Sequence, residues 1–306
     1  MDNLVIDVQH VEKRFGRNTV LADLSFGVEA GKTYAFLGRN GAGKTTTIRM
    51  MLGLLAPDAG TIRVLGMDPR RDSVAIRGRV GYLAEDQQMF GWMRVSEMIS
   101  FLAPFYPTWD RDLAASLLKR FELSPRTRVK HLSKGQNARL GLLLALAHRP
   151  ELVILDDPTL GLDPLMRKQF LRDIVTYLQG EGVTVLFSSH LLYEVEPVAD
   201  EVAILDCGRI IRQGPTDQLR SEVKQLVMLT GDYERLDELP HVLDVQPRGN
   251  QTAVTVEHVE QALAAAEAAG VYPTVVELNL DEIFEAYVIR TNGRDHVAET
   301  DLERVV

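Results

Sequence analysis

The chain has 306 residues, 45% of them hydrophobic and 25% charged, and a net charge of −9. That length suits one large domain plus one small one, and the composition is ordinary for a soluble globular protein with a sizeable core. No apolar run approaches the ~18–20 residues needed to cross a bilayer. The longest, 140–147, is far too short. The first residues lack a basic region and an apolar stretch, so no secretion signal is expected. The single cysteine, Cys207, cannot close an internal disulfide. A reducing cytosol is the natural setting, and a small buried side chain the expected role. Residues 227–306 carry sixteen acids and five bases, a net of −11, which leaves +2 on residues 1–226. Such an acidic end argues against nucleic acid or anionic lipid as its partner.

In chain order, residues 3–10 and 24–29 alternate apolar and polar, as antiparallel strands with one wet face do. Residues 33–37 read as a short buried strand that runs into a glycine-rich loop and a helix over 44–54. Further strands are expected at 61–65, 80–83, 152–155, 183–188 and 201–206. Helices are expected at 95–103, 110–121, 134–147, 165–179 and 191–197. Strands spaced by helices imply an α/β core on a parallel sheet, with the early strands forming a side sheet. A second unit begins near 225: strand 226–230, short helix 232–237, strands 242–247 and 252–257, helix 259–269, strand 273–279. That β-α-β-β-α-β order is the ferredoxin-like pattern. A closing helix over 281–289 puts Ile283, Phe284, Tyr287 and Val288 on one face. The polar, acidic stretch 291–306 reads as a frayed tail.

The segment Gly38-Arg39-Asn40-Gly41-Ala42-Gly43-Lys44-Thr45 fits G-x-x-x-x-G-K-[ST] between a predicted strand and a predicted helix. Glycines let the backbone wrap a phosphate, and the amides and helix dipole face the anion. Lys44 reaches the β- and γ-phosphates, and the Thr45 hydroxyl ligates Mg²⁺. Leu152-Val153-Ile154-Leu155-Asp156 is a buried strand ending in an acid. Beside a phosphate loop, such an acid holds Mg²⁺.

Leu132-Ser133-Lys134-Gly135-Gln136 lies 20 residues before Asp156 and opens a helix. It resembles the L-S-G-G-Q signature of ABC ATPases, with Lys134 in place of the first glycine. The resemblance covers residues 1 to about 220. It implies a P-loop ABC ATPase domain with an antiparallel side sheet and a helical subdomain over about 86–150. Two copies, or this chain and a paralogue, would sandwich ATP. Phe15 looks like the aromatic that stacks on adenine, with a core role as its alternative. Gly161-Leu162-Asp163 looks like the loop that crosses the dimer, and His190 like the switch histidine at the γ-phosphate. The resemblance assigns nucleotide contacts to Gly38, Asn40, Gly41, Ala42, Gly43, Lys44, Thr45 and Thr46 of one subunit, and to Ser133, Gly135 and Gln136 of the other.

Three departures from the family pattern stand out. Asp157 occupies the place where the family has Glu as the base that activates water. Its carboxylate is one methylene shorter, and a misplacement of ~1 Å can cost ~10²-fold in rate. Slow but non-zero hydrolysis follows. Glu85 stands about where a Gln is expected, with Gln87 and Gln88 close by. Glu85 could bind Mg²⁺ or water, so it joins the catalytic and metal candidates. Lys134 could meet phosphate or an acid, or simply face solvent.

The acidic C-terminal unit and Phe105-Tyr106-Pro107-Thr108-Trp109-Asp110 resemble bacterial ATPases that serve separately encoded exporters. Trp109 is a candidate contact with an integral membrane permease, and Asp110 a candidate helix cap. The domains expected are 1–224 (ATPase), 225–290 (accessory, for dimer contact, regulation or capping) and 291–306 (tail). The resemblance places the protein on the cytoplasmic face of the membrane, with no nucleic acid partner. The competing reading is a nucleotide-dependent switch or cytosolic ATPase with very slow hydrolysis. A chromosome-type ATPase is disfavoured, because the 89 residues from Lys44 to Ser133 show no sustained heptads. A ribosome-associated factor would carry two cassettes and basic surfaces.

Overall fold

A computed structural model describes residues 4–159, 162–164, 166–167, 169–171, 174, 182–189, 196–236 and 238–289. The expected helices over 165–179 and 191–197 fall largely outside them, and the expected tail 291–306 lies wholly outside. The chain divides into two compact units, Met1–His190 with Pro197–Ile210, and Leu191–Glu196 with Ile211–Val306.

The first unit opens with two long strands, β1 (Leu4–Phe15) and β2 (Asn18–Glu29). They pair antiparallel from Leu4↔Glu29 to Phe15↔Asn18. Both exceed the expected 3–10 and 24–29. The polar run Glu12-Lys13-Arg14 breaks the alternation, yet it stays in the sheet because Lys13 Nζ donates to Asp58 Oδ1 at 2.9 Å. With β4 (Ala59–Val64) these strands form a three-stranded sheet in the order β2-β1-β4.

The second sheet has six strands: β3 (Thr33–Gly38), β5 (Val80–Leu83), β6 (Leu152–Asp156), β7 (Thr184–Ser189), β8 (Glu201–Asp206) and β9 (Arg209–Pro215). Their order is β5-β6-β7-β3-β8-β9. The pairs β5–β6, β6–β7, β7–β3 and β3–β8 are all parallel. Every residue of β6 and β7 is buried, which is why their apolar stretches 152–155 and 185–187 run unbroken rather than alternating. The α-helices bounded within the described residues of this unit are α1 (Lys44–Met51), α2 (Pro69–Arg79), α3 (Val95–Leu102), α4 (Arg111–Arg120) and α5 (Lys134–Leu146), and residues 164, 166–167, 169–171 and 174 are helical too. Asp110 caps α4, its Oδ1 accepting from the Leu113 amide at 2.8 Å.

Two elements of this part were not expected from sequence, and a third, the helix over Thr216–Glu222, lies in the second unit. Helix α2 buries only Pro69 and Ile76, too few for a helical stripe. Its signal is Asp68 as N-cap with Pro69 at the first helical position. The other is β9, entered through a tight turn at Cys207 (φ 44°) and Gly208 (φ 74°). Cys207 is exposed in that turn, which corrects the buried role expected for it.

The second unit, taken by itself, holds α6 (Thr216–Glu222), β10 (Lys224–Leu229), the single turn α7 (Thr230–Tyr233), β11 (Val242–Arg248), β12 (Gln251–Val256), α8 (Val259–Ala268), β13 (Thr274–Val276) and α9 (280–289). Its sheet runs β11-β12-β10-β13 and is antiparallel throughout. Leu226, Met228, Val254, Val256, Ala262 and Ala266 lie in its core. Strand β13 ends earlier than the expected 279 because Asn279 caps α9. Its Oδ1 accepts from the Glu282 amide, and Glu282 Oε2 accepts from the Asn279 amide, both at 2.9 Å. Arg212 ties the unit together through Glu222 (2.6 Å) and Glu257 (3.3 Å).

Candidate active site

The site forms where the C-terminal ends of β3, β6 and β7 meet. The register sets Leu37 beside Ser189 and Asp156 beside Ser188. The phosphate loop leaves β3 at Gly38 and enters α1 at Lys44. Gly43, at the N-cap, has φ 112°. A Cβ there would lie 2.5 Å from Leu21 Cδ2, so both conformation and space demand glycine. Beyond it the free amides at the start of α1 form an anion-binding end.

Lys44 is buried within this loop. Its Nζ donates to the Gly38 carbonyl at 2.8 Å and to the Arg39 carbonyl at 3.4 Å, and stands 3.7 Å from Asp157 Oδ2. The ammonium is thus held where an anion in the loop would meet it.

Asp156 is fully buried, and neither carboxylate oxygen has a hydrogen-bond partner. Burial pushes its pKa up, the nearby Thr45 and Ser188 hydroxyls oppose the shift, and the carboxylates of Asp157 and Glu85 add to it. Neither hydroxyl completes a hydrogen bond to it; both lie close enough to favour the charged form. An orphaned buried carboxylate beside a hydroxyl is costly by itself. It fits a small hard cation that takes one carboxylate and one hydroxyl from protein and fills its shell with phosphate oxygens and water. Tyr82 shares this environment, its hydroxyl raised to about 12 by burial and then by the Asp156 charge.

Asp157 is buried with φ 42°, a left-handed conformation that Asp tolerates better than most residues. Its amide donates to the Ser188 carbonyl at 2.9 Å. Phe15, at the end of β1, is half-exposed, with Lys13 Nζ 5.5 Å from its ring centre. Thr46 is half-buried in α1.

At the signature, Ser133 caps α5. The Gln136 amide donates to Ser133 Oγ at 3.2 Å, and Gln136 Oε1 accepts from the Ser133 amide at 3.0 Å. Gly135 is buried, and a Cβ on it would lie 2.0 Å from the Met166 methyl. A cavity of about 210 Å³ at the head of α5 is lined by Glu85, Asp86, Lys134, Asn137 and Pro158. Glu85 therefore faces the head of the signature helix, and its charge is felt at Asp156. Gln87 instead presses its amide oxygen, buried and without a partner, toward Gly141 on α5.

Lys44, Asp156, Asp157 and Glu85 thus come together with Thr45. His190 and Gly161 lie outside the described residues. Ser188 was not foreseen, although parallel pairing of two buried strands sets it directly beside Asp156. Nor was His148. It is 1% exposed, stacks on Tyr106 at 4.2 Å, and has no hydrogen-bond partner on either ring nitrogen.

Residues 21–160 match the family described as ABC transporter. The chain is similar to the daunorubicin resistance ATP-binding protein DrrA3 of Streptomyces coeruleorubidus, at 38% identity over 72% of each chain. It is also similar to the bacitracin transport ATP-binding protein BcrA of Bacillus licheniformis, at 35% identity over 71% of each. A solved structure described as the ATP binding subunit of an ABC transporter superposes with TM-score 0.64 at 29% identity. That match covers 71% of this chain and 92% of the other.

Proposed function

This chain belongs to the ABC transporter family as an ATP-binding, ATP-hydrolysing subunit, and we propose that it dimerises around ATP to drive a separate membrane permease working as an exporter. The observation that carries the reading is the buried, unpartnered Asp156 carboxylate beside the phosphate loop. That arrangement costs stability unless a nucleotide with its cation occupies it. Export is the activity carried in the names of the relatives concerned with Nod factor.

In the proposed mechanism, loop amides and Lys44 bind the phosphates, and Phe15 stacks on adenine. Asn40, Ala42 and Thr46 complete the nucleotide contacts. Mg²⁺ would be held by Thr45 and Asp156, with Glu85 as a further candidate; when bound it neutralises phosphate charge. Ser133, Gly135 and Gln136 of a second copy or a paralogue close over the γ-phosphate. Asp157 takes the proton of the attacking water, and His190 contacts the γ-phosphate. Positioning and charge stabilisation do most of this work. Because the site is composite, an isolated monomer is nearly inactive.

We assign residues 1–224 to the ATPase domain and 86–150 to its helical subdomain, with Trp109 reaching the permease. Residues 225–290 form an accessory domain that we read as ferredoxin-like, supported by the sheet order β11-β12-β10-β13, and 291–306 a tail. The protein sits peripherally on the cytoplasmic face of the membrane. Among the described residues, no helix is long and apolar enough to cross it.

A second reading, a nucleotide switch, draws on the short Asp157 side chain and its approach to Lys44. Phosphate release and ATP-driven dimerisation, measured together, separate the two. The transporter reading expects both, with Lys44→Ala abolishing them. A dimer that forms with ATP but releases no phosphate supports the switch. Phosphate release undiminished in Lys44→Ala would overturn both.

A further inference from the structure

We propose that Asp58 positions the ring that meets the nucleobase, acting through Lys13 and the Arg14 amide, a role that rests on Phe15 being the ring that stacks on adenine.

Phe15 ends β1, where it pairs with Asn18 across the hairpin turn. Its ring is 50% exposed, and a hairpin tip is a part of a sheet that opens easily. Pairing with β4 does not restrain it, because that ladder ends at Glu12↔Ala59, before Phe15 is reached. Asp58, the residue before β4, takes over from there. Its amide donates to the Glu12 carbonyl at 2.9 Å. Its Oδ1 accepts from Lys13 Nζ at 2.9 Å, and its Oδ2 from the Arg14 amide at 2.7 Å. One residue thus ties Glu12, Lys13 and Arg14 in succession and carries the restraint up to the neighbour of Phe15. The Lys13 hydrogen bond first, and then the Arg14 amide, hold the Asp58 carboxyl below its usual range, so the tether stays charged at neutral pH.

Lys13 makes the second link. It is buried, a rare place for a lysine unless it is paired. Asp58 is the partner, and the pairing fixes where the ammonium sits. Side chains two apart on a strand share a face, and Lys13 Nζ stands over the Phe15 ring, 5.5 Å from its centre. A cation within ~6 Å of a ring centre is held by the electron-rich face of the ring. With Lys13 over one face of Phe15, a flat base stacks on the other. Asp58 therefore sets both the backbone that carries the ring and the cation that steadies it, while touching no nucleotide itself. The phosphates are bound separately, by Lys44 and the loop 38–45.

The test measures binding of Mg-ADP and of magnesium pyrophosphate to the full chain by calorimetry. ADP carries the base and requires no hydrolysis; pyrophosphate meets the phosphate loop alone. Loss of one stacked base weakens binding roughly ten-fold, and Phe15→Ala sets that ceiling. Asp58→Ala is expected to weaken ADP about three- to ten-fold and to leave pyrophosphate level, which also shows that the variant is folded. Lys13→Met keeps the apolar stem and leaves the half-exposed Asp58 hydrated; it weakens ADP by a smaller factor. Asp58→Glu restores part of the loss, because a carboxylate again reaches Lys13. In hydrolysis the loss falls on KM for ATP rather than on kcat.

ADP affinity lost in Phe15→Ala yet level in Asp58→Ala overturns the proposal and keeps the adenine reading. Equal loss of ADP and pyrophosphate in Asp58→Ala also overturns it, since Asp58 then supports the domain as a whole. ADP affinity level in Phe15→Ala removes the adenine reading, and the role of Asp58 falls with it.

Discussion

Replacing Asp157 with Glu should accelerate hydrolysis. The Asp157 carboxylate is buried, and its amide is fixed to the Ser188 carbonyl at 2.9 Å. The backbone cannot advance to make up for a short side chain. One added methylene extends reach by ~1.5 Å, comparable to the ~1 Å misplacement that costs ~10²-fold in rate. We expect turnover of Asp157→Glu to rise by about 10- to 100-fold, or ~1.4–2.8 kcal/mol of barrier. Two features of the site oppose the gain. The left-handed φ of 42° suits Asp better than Glu, at a cost of ~1–2 kcal/mol in stability. The longer side chain also disturbs the 3.7 Å approach to Lys44. The assay is steady-state phosphate release with saturating Mg-ATP, at a protein concentration where the dimer forms. Asp157→Asn serves as control and should fall below wild type, since it keeps shape and removes the base. If Asp157→Glu dimerises normally with ATP yet turns over no faster, the geometric reasoning is wrong.

Asp156→Asn removes a fully buried, unpartnered charge. It should stabilise the nucleotide-free protein by about 1–3 kcal/mol while abolishing Mg-dependent hydrolysis; calorimetry showing a lower melting temperature would contradict this. Burial holds the His148 imidazole below its ordinary value near 6.5. The unfolded chain therefore binds the proton first, and stability falls as pH drops below that value toward the lowered one. His148→Phe, which can keep the stack on Tyr106, should flatten that slope in melts from about pH 7.5 to about pH 5.5. A chain ending at residue 224 should dimerise more weakly with ATP, read by sedimentation velocity; unchanged dimerisation would remove the accessory domain from the interface.

The phosphate loop and Asp156 were legible because their chemistry is local. A glycine-rich turn between strand and helix, and an apolar run ending in an acid, are written in consecutive residues. What pairing across the sheet creates was not. Ser188 meets Asp156 only through parallel register. Helix α2 escaped because a surface helix burying Ile76 and Pro69 has almost no apolar period. The bridge pairing Arg94 with Arg128 joins residues 34 apart, a closure that charge counting cannot foresee. Cys207 was misread because an apolar strand precedes it, whereas the turn into β9 puts it in solvent.

An ATPase subunit that works on a separate membrane protein should be recoverable together with it. Tagged protein should be recovered from detergent-solubilised native membranes, and what co-purifies identified by mass spectrometry. A polytopic membrane protein in stoichiometric amount is the predicted result. Recovery from the soluble fraction alone, with no membrane partner, would contradict it and favour a cytosolic nucleotide switch.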